Sequence, residues 1–255
     1  MYAAARRRLI LEELQTSASV SVTELAGRFG VSPSTIRRDL NELHQAELLE
    51  RTYGGAVAPL VQTTEAPFSE RRGSRQAEKE RIGRAAAQLI QPGDTIILDG
   101  GTTTESLLPY LGGIANLTVV SFGLNILTAL AGEEQLTVIG IGGLLHHPSR
   151  TFGGVLALDT LQAYNMRFDK AFLAASGISA GDGLTNVGFD EIPLKRRAIE
   201  LARQVILLAD SSKVGIKAVG FVAPATSLAW LITDANAPEA EVAALRQLGV
   251  VVELV

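Results

Sequence analysis

Asp99 closes the apolar run Ile96-Ile97-Leu98 and opens the turn Gly100-Gly101-Thr102-Thr103-Thr104. Glycines let backbone amides approach an anion, threonines add hydroxyl donors, and a helix starting there adds its positive end. The turn therefore has the chemistry of a phosphate cradle. A Gly-Thr turn that only caps a helix uses the same residues. No Gly-Lys-Ser/Thr ending follows and no G-x-G-x-x-G opens a helix, so ATP and dinucleotide sites are not indicated. Other apolar runs are flanked by polar residues in the same way: Phe168-Asp169-Lys170, Ser176-Gly177, Gly183-Leu184-Thr185, Leu208-Ala209-Asp210-Ser211-Ser212-Lys213 and Ile232-Thr233-Asp234. Asp210 with Lys213 also has the makings of a plain salt bridge, and Glu191 with Lys195 those of an i,i+4 helix pair. His146 and His147 are neighbours in a loop, with His44 far away in sequence, which suits surface histidines and not a metal site. No cofactor is expected.

A second chemistry, the reading of nucleic acid, is suggested nearer the start. Ser21-Val22-Thr23-Glu24 matches a capping box, in which Ser21 caps the amide at Glu24 and the Glu24 side chain reaches back. The helix it opens has an apolar face of Val22, Leu25, Ala26 and Phe29, and Gly30 stands where a helix stops in the left-handed conformation. Ser32 is a second N-cap, with Pro33 at the first helical position. The next helix buries Ile36, Leu40 and Leu43 and leaves Ser34, Thr35, Arg37, Arg38 and Asn41 outward. Two short helices joined by Gly30-Val31-Ser32 make a helix-turn-helix, whose second helix enters a major groove. Leu48 to Arg51 and Ala56 to Ala58, on either side of Tyr53-Gly54-Gly55, read as a hairpin or wing. A helical hairpin with no DNA role satisfies the same local signals.

These candidates need elements to hold them. From residue 76 onward apolar runs alternate with helical patterns: strands are expected at 95–98, 117–120, 136–139, 170–174, 205–208, 228–232 and 250–254. Helices are expected at 78–90, 103–111, 124–131, 192–202 and 238–248. Such alternation predicts a parallel-rich α/β sheet with helices on both faces, in which ligands bind beyond the carboxyl ends of the strands. The chain thus divides into a mainly α winged helix-turn-helix at 1–57, a linker at 58–75 rich in proline and hydroxyl residues, and an α/β domain at 76–255.

Composition sets the outer limits. A chain of 255 residues that is 47% hydrophobic and 20% charged has enough apolar material for folded domains and excludes wholesale disorder. It has no cysteine, so disulfides and thiolate chemistry are excluded. No signal core follows Arg6-Arg7-Arg8, and no uncharged run would span a bilayer; no membrane partner and a cytoplasmic location are expected. The net charge is −4, and the first 57 residues balance seven basic against seven acidic side chains. Charge alone therefore does not mark a nucleic-acid coat.

The run VSVTELAGRFGVSPSTIRRDLNEL, followed by LLERTYGGA, resembles the N-terminal winged helix-turn-helix of the DeoR family of bacterial transcription repressors across residues 6–57. The resemblance implies that Ser34, Thr35, Arg37 and Arg38 face operator DNA and that Arg51 and the Gly54-Gly55 turn approach its backbone. Asp39 is read as a partner that orients an arginine or ties the helix to its neighbour. Glu47 departs from the family's usual glycine before the final Leu pair. Residues 76–254 are similar to the family's effector domain, whose fold is like ribose-5-phosphate isomerase and the CoA-transferases and which is taken to bind phosphorylated sugars. Carried over, Asp99, Gly101, Thr102 and Thr103 match the phosphate-side loop, Asp169 the strand-end acid, Lys195 the helix lysine and Lys213 the lysine of the Asp-x-Ser-Lys motif. Ser121-Phe122 departs from the family's Thr-Asn and sets an aromatic where a hydrogen-bonding side chain is usual.

The resulting expectation is a homo-oligomeric (dimeric or tetrameric) repressor of carbohydrate genes controlled by a sugar phosphate. The alternatives are an isomerase-like enzyme, with Asp169 as base and Lys213 as electrostatic helper, and a regulator with a non-sugar effector.

Overall fold

A computed structural model of the chain describes all residues except 1, 18, 47, 58–60 and 164–165, together with the side chains of 15 and 16. Glu47, Ala58 and Pro59 therefore lie outside the described residues. The chain divides into two units, Met1–Thr64 and Glu65–Val255.

The first unit comprises α1 (Ala3–Ser17), β1 (Ser19–Ser21), α2 (Val22–Phe29), α3 (Pro33–Gln45), β2 (Glu50–Arg51) and β3 (Gly55–Val57). The local signals act nearly as read. Gly30 ends α2 at φ 64°, a conformation that favours glycine. The Ser32 hydroxyl accepts from Thr35 N–H with Pro33 at N1. The Ser21 hydroxyl, however, accepts from Thr23 N–H at 3.2 Å and not from Glu24. The wing has three strands, in the order β1-β3-β2, because Ser19–Ser21 pairs with the outer edge of the expected hairpin. Ile10, Leu25, Ile36, Leu40 and Leu49 are fully buried at its centre.

The second unit opens with α4 (Phe68–Gly73) and α5 (Gln76–Gln88). There follow β4 (Thr95–Leu98), α6 (Thr102–Glu105), β5 (Thr118–Ser121), α7 (Leu124–Leu130), β6 (Thr137–Gly140), β7 (Leu144–His146), β8 (Thr151–Gly153), α8 (Gly154–Ala163) and β9 (Phe168–Leu173). The chain continues with β10 (Gly177–Ser179), β11 (Gly183–Asn186), α9 (Ile192–Leu201), β12 (Ala202–Leu208), β13 (Gly220–Ala223), β14 (Trp230–Thr233), α10 (Glu239–Gln247) and β15 (Val251–Leu254).

Seven strands form one parallel sheet in the order β15-β14-β12-β9-β4-β5-β6. Its central strands are buried on both faces, which is why β4 and the ends of β9 and β12 read as apolar runs. Alternate residues go to opposite layers: Ile96, Leu98, Val119 and Phe172 pack with Ile82, Ala86 and Ile126. Ile97, Val120, Ala171 and Leu173 pack with Leu161, Leu194, Ala198 and Leu245 on the other side. Sequence order runs outward from β4 through β5 and β6, then returns to β9 and runs outward through β12, β14 and β15. The topological switch point therefore lies between β4 and β9, where a crevice opens beyond the strand ends.

One expectation changes here, and one departure from the family's pattern finds its place. The segment 58–75 is not irregular throughout, since from Glu65 it groups with the second unit and carries α4. Its proline and hydroxyl content reads as linker, but Phe68 is 3% exposed and its N–H donates to Pro148 O at 3.0 Å, which anchors the segment. Phe122 does not face a ligand loop. It is fully buried in the core, and the neighbouring Ser121 hydroxyl donates to Leu98 O at 2.8 Å and accepts from Gly123 N–H at 3.0 Å. Among the described residues no helix is long and apolar enough to cross a membrane.

Phe122→Ala is expected to cost the second unit about 3–5 kcal/mol through lost burial and a cavity. Denaturant unfolding followed at Trp230 measures it, because that residue lies in the same sheet.

Candidate functional site

The crevice at the switch point is lined by Asp99, Gly100 and Gly101 after β4, Ala174 and Ala175 after β9, Ser149 and Thr151 before and on β8, Asn186 on β11, and Glu191 and Lys195 around the start of α9. Glu65 and Arg71, from the segment that precedes α5, complete it.

Lys195 lies on the floor and is 3% exposed. Its ammonium donates to Ala174 O at 2.8 Å and Asn186 Oδ1 at 2.9 Å, and stands 3.3 Å from Asp99 and 3.5 Å from Glu191. An ammonium has three protons, so these partners take all of them. Asp99 is equally engaged: Oδ1 accepts from Gly101 N–H at 2.9 Å and the Thr104 hydroxyl at 2.8 Å, and Oδ2 accepts from Ala174 N–H at 2.7 Å. Glu191 accepts from the Thr151 hydroxyl at 2.8 Å and Asn186 Nδ2 at 3.3 Å. Behind Thr151 a chain of hydroxyl contacts runs through Ser149, at 2.6 Å, to His146 Nδ1, at 2.9 Å.

Burial alone would push the Lys195 ammonium down, but the Asp99 and Glu191 carboxylates outweigh it and hold its pKa above the usual lysine value. Burial alone would raise Glu191, yet Lys195 and hydrogen bonds from Ser149, Thr151 and Asn186 hold it below the usual carboxylate value. Both groups therefore stay charged at neutral pH, which is unsuited to proton transfer.

The structure sorts the expected effector residues. Asp99, Gly101 and Lys195 meet in the crevice. Gly101 is required by packing, since a Cβ there would lie 2.4 Å from Ala174 Cβ, and its amide is already spent on Asp99. Thr102 and Thr103 are buried in the first turn of α6 and do not line the crevice. Asp169 lies at the opposite end of the sheet. Because β9 starts at Phe168, Asp169 comes level with Thr95, accepts from its N–H at 2.9 Å, and is about 13 Å of strand away from Asp99. Lys213 follows β12, where its N–H donates to Asp210 O at 2.9 Å, and it too is outside the lining. Sequence reasoning missed Glu65, Arg71, Ser149 and Thr151, which come from segments with no strand-end signal, and Asn186, which directly follows Gly183-Leu184-Thr185.

In the first unit Ser34, Arg37 and Arg38 are exposed and Thr35 is half-buried along the start of α3. Asp39 is 2% exposed and pairs with Arg6 at 2.5 Å and Arg7 at 3.4 Å, which ties α3 to α1. Arg51 is engaged internally, donating to Arg37 O at 3.1 Å and Asn41 Oδ1 at 2.8 Å, and so fastens the wing to α3. Gly54 is exposed, whereas Gly55 is buried: a Cβ on it would come 1.8 Å from Val20 O, so packing of the wing requires this glycine. Tyr53, which the motif reading passed over, is fully exposed at the tip of the wing.

Lys195→Met leaves two buried carboxylates uncompensated and is expected to cost about 3–5 kcal/mol. The Glu191 contribution is complete above its unfolded pKa and is lost as pH falls through the lower folded value. The Lys195 contribution is complete below its unfolded pKa and is lost as pH rises through the higher folded value. In the wild type both are therefore present from about pH 5 to about pH 10. Melting temperature followed across pH is expected to keep this contribution on that plateau in the wild type and to lose it in Lys195→Met.

Two family models match the chain: the DeoR-like helix-turn-helix domain over residues 6–61 and the DeoR C terminal sensor domain over residues 74–235. The chain is 35% identical over 233 residues to the glycerol-3-phosphate regulon repressor of Escherichia coli (strain K12), covering 91% of each. It is 35% identical over 223 residues to the HTH-type transcriptional regulator IolR of Bacillus subtilis (strain 168), covering 88% of each. Among solved structures, ribose 5-phosphate isomerase A from Methanocaldococcus jannaschii matches 55% of each chain at 17% identity and TM-score 0.41, a distance at which no chemistry transfers. With one model in each unit and relatives of this identity matching along nine-tenths of its length, the chain belongs to the DeoR family of transcriptional regulators.

Proposed function

We propose that the chain is an operator-binding repressor of carbohydrate genes whose second unit senses a phosphorylated sugar, and that it is not an enzyme. The carrying observation is the crevice at the switch point, where a buried lysine and two carboxylates are locked together without an acid or base poised near neutral pH. An isomerase needs such a group, and Asp169, the base of that alternative reading, lies at the far end of the sheet. The printed name of the Escherichia coli relative, a glycerol-3-phosphate regulon repressor, supports a phosphorylated ligand.

On the DNA side, Ser34, Thr35, Arg37 and Arg38 are the proposed groove-facing residues, with Gly54 near the backbone and Arg51 holding the wing in place. One short helix reads few base pairs, so paired half-sites and a homo-oligomer are proposed. Large apolar side chains exposed on the second unit, Leu144, Val155, Leu156, Phe189 and Phe221, support self-association. A chain acting on operator DNA works in the cytoplasm.

Three outcomes are expected. Arg37→Ala or Arg38→Ala weakens binding to an operator selected from random DNA by about 1–3 kcal/mol if a base edge is read, or lowers the salt slope by about one if a phosphate is held. Titrations at several salt concentrations separate these, and wild-type affinity in both variants would remove α3 from the interface. Sedimentation at micromolar concentration shows a species larger than 27.0 kDa. A panel of triose, pentose and hexose phosphates raises the melting temperature with one member and shows no turnover; catalysis would favour the isomerase reading.

A further inference from the structure

The floor of the crevice is a closed network. Lys195 has no proton left to offer, and with Asp99 and Glu191 it forms a group that carries one net negative charge. A phosphate ester, with a charge of about −1.5 to −2 at neutral pH, is repelled by that field. Its anionic end must be met elsewhere.

Arg71 is the other cation that lines the crevice. Its Nε donates to Ala66 O at 2.9 Å, while Glu65 stands 3.5 Å from Nη1, longer than a charge-assisted hydrogen bond. The guanidinium therefore retains donors. Arg150, next to the lining residues Ser149 and Thr151, lies 4.9 Å from the centre of the Phe68 ring, and Arg71 lies 5.8 Å from the same ring. Among the described residues Arg150 forms no ion pair, and its φ of 58° holds it in the left-handed region that side chains rarely adopt. Two guanidiniums are thus gathered around Phe68, one lining the crevice and one next to its lining residues in the chain, with Glu65 as the carboxylate paired with Arg71. The buried Lys79 ammonium donates to Arg71 O and is pushed down to about 8, chiefly by burial; Asp210 opposes the shift, and Arg71, Lys213 and Arg75 add to it.

We propose that the anionic end of the effector is bound by Arg71, with Arg150 beside it, on the α4 side of the crevice. Resting on the sensor reading above, this assigns the phosphate to a residue of α4 and not to Lys195, Lys213 or the Gly101–Thr103 turn. Its consequence is regulatory. Arg71 belongs to the stretch through which the chain passes from the first unit into the sensor, so a bound anion fastens that stretch to the sensor.

The test is calorimetric titration of the full chain with glycerol 3-phosphate, ribose 5-phosphate and fructose 6-phosphate, each paired with its unphosphorylated counterpart, followed by hydrogen exchange over 65–75. Wild type is expected to prefer a phosphorylated probe and to slow exchange in that segment. Arg71→Met is expected to lose about 10- to 100-fold in affinity for that probe, as the loss of a charge-assisted bond implies, with no change for the unphosphorylated one. Glu65→Gln, a mild change that frees Arg71, is expected to bind more tightly, and Lys213→Met to stay within about twofold of wild type. Unchanged affinity in Arg71→Met, or no gain in Glu65→Gln, overturns the assignment and leaves the sensor reading standing. A wild type that binds none of the probes overturns the sensor reading, and the assignment with it.

Discussion

A single buried ammonium holds the sensor's strand-end loops together. Lys195 reaches from α9 to the backbone after β9, the carboxylate after β4 and the amide side chain on β11. Burying a charge is expensive unless every proton and lone pair is satisfied, so the loops have little choice of position once the lysine is in place. Asp99 transmits the constraint, since four donors fix it and one of them is the amide of the glycine next but one. The glycines follow from the same closeness. A Cβ on Gly100 would lie 2.4 Å from the Thr151 methyl, so the loop after β4 and the start of β8 meet only because Gly100 lacks one.

The DNA-reading unit solves a similar problem with the opposite sign at its centre. Asp39 is a buried carboxylate held by arginines from α1, and this pairing anchors one side of α3 while the two residues before it, Arg37 and Arg38, point outward. Arg51 then fixes the wing against the same helix. In both units a buried ion pair sets geometry, and neighbouring residues without such ties are the ones available for a partner.

The parts legible in the sequence were those governed by short-range chemistry. Gly30, Ser32 and Pro33 marked helix ends because capping is local, and all seven expected strands appear in the large sheet because strands buried on both faces read as apolar runs. Three-dimensional register was not legible. Asp169 flanks the start of β9 and not its end, so it lies at the end of the sheet opposite the crevice. Gly55 read as a turn residue near DNA, although what requires it is the carbonyl of Val20 on a strand absent from the expected wing. The segment 65–75 was the largest omission. A proline, two serines and three arginines look like linker, and only the burial of Phe68 shows that Glu65 and Arg71 belong to the crevice.

The central claim is that the crevice between β4 and β9 is the sensing site and that its occupant governs DNA binding. It is tested most directly by measuring operator affinity of the full chain, by fluorescence anisotropy, at increasing concentrations of the sugar phosphate that stabilises it, in wild type and in Thr151→Val. Thr151 contributes a hydroxyl to the crevice and lies outside the DNA-reading unit. The account predicts that ligand shifts operator affinity in the wild type, and that Thr151→Val binds operator normally but needs more ligand for the same shift. An identical ligand response in both proteins would contradict it.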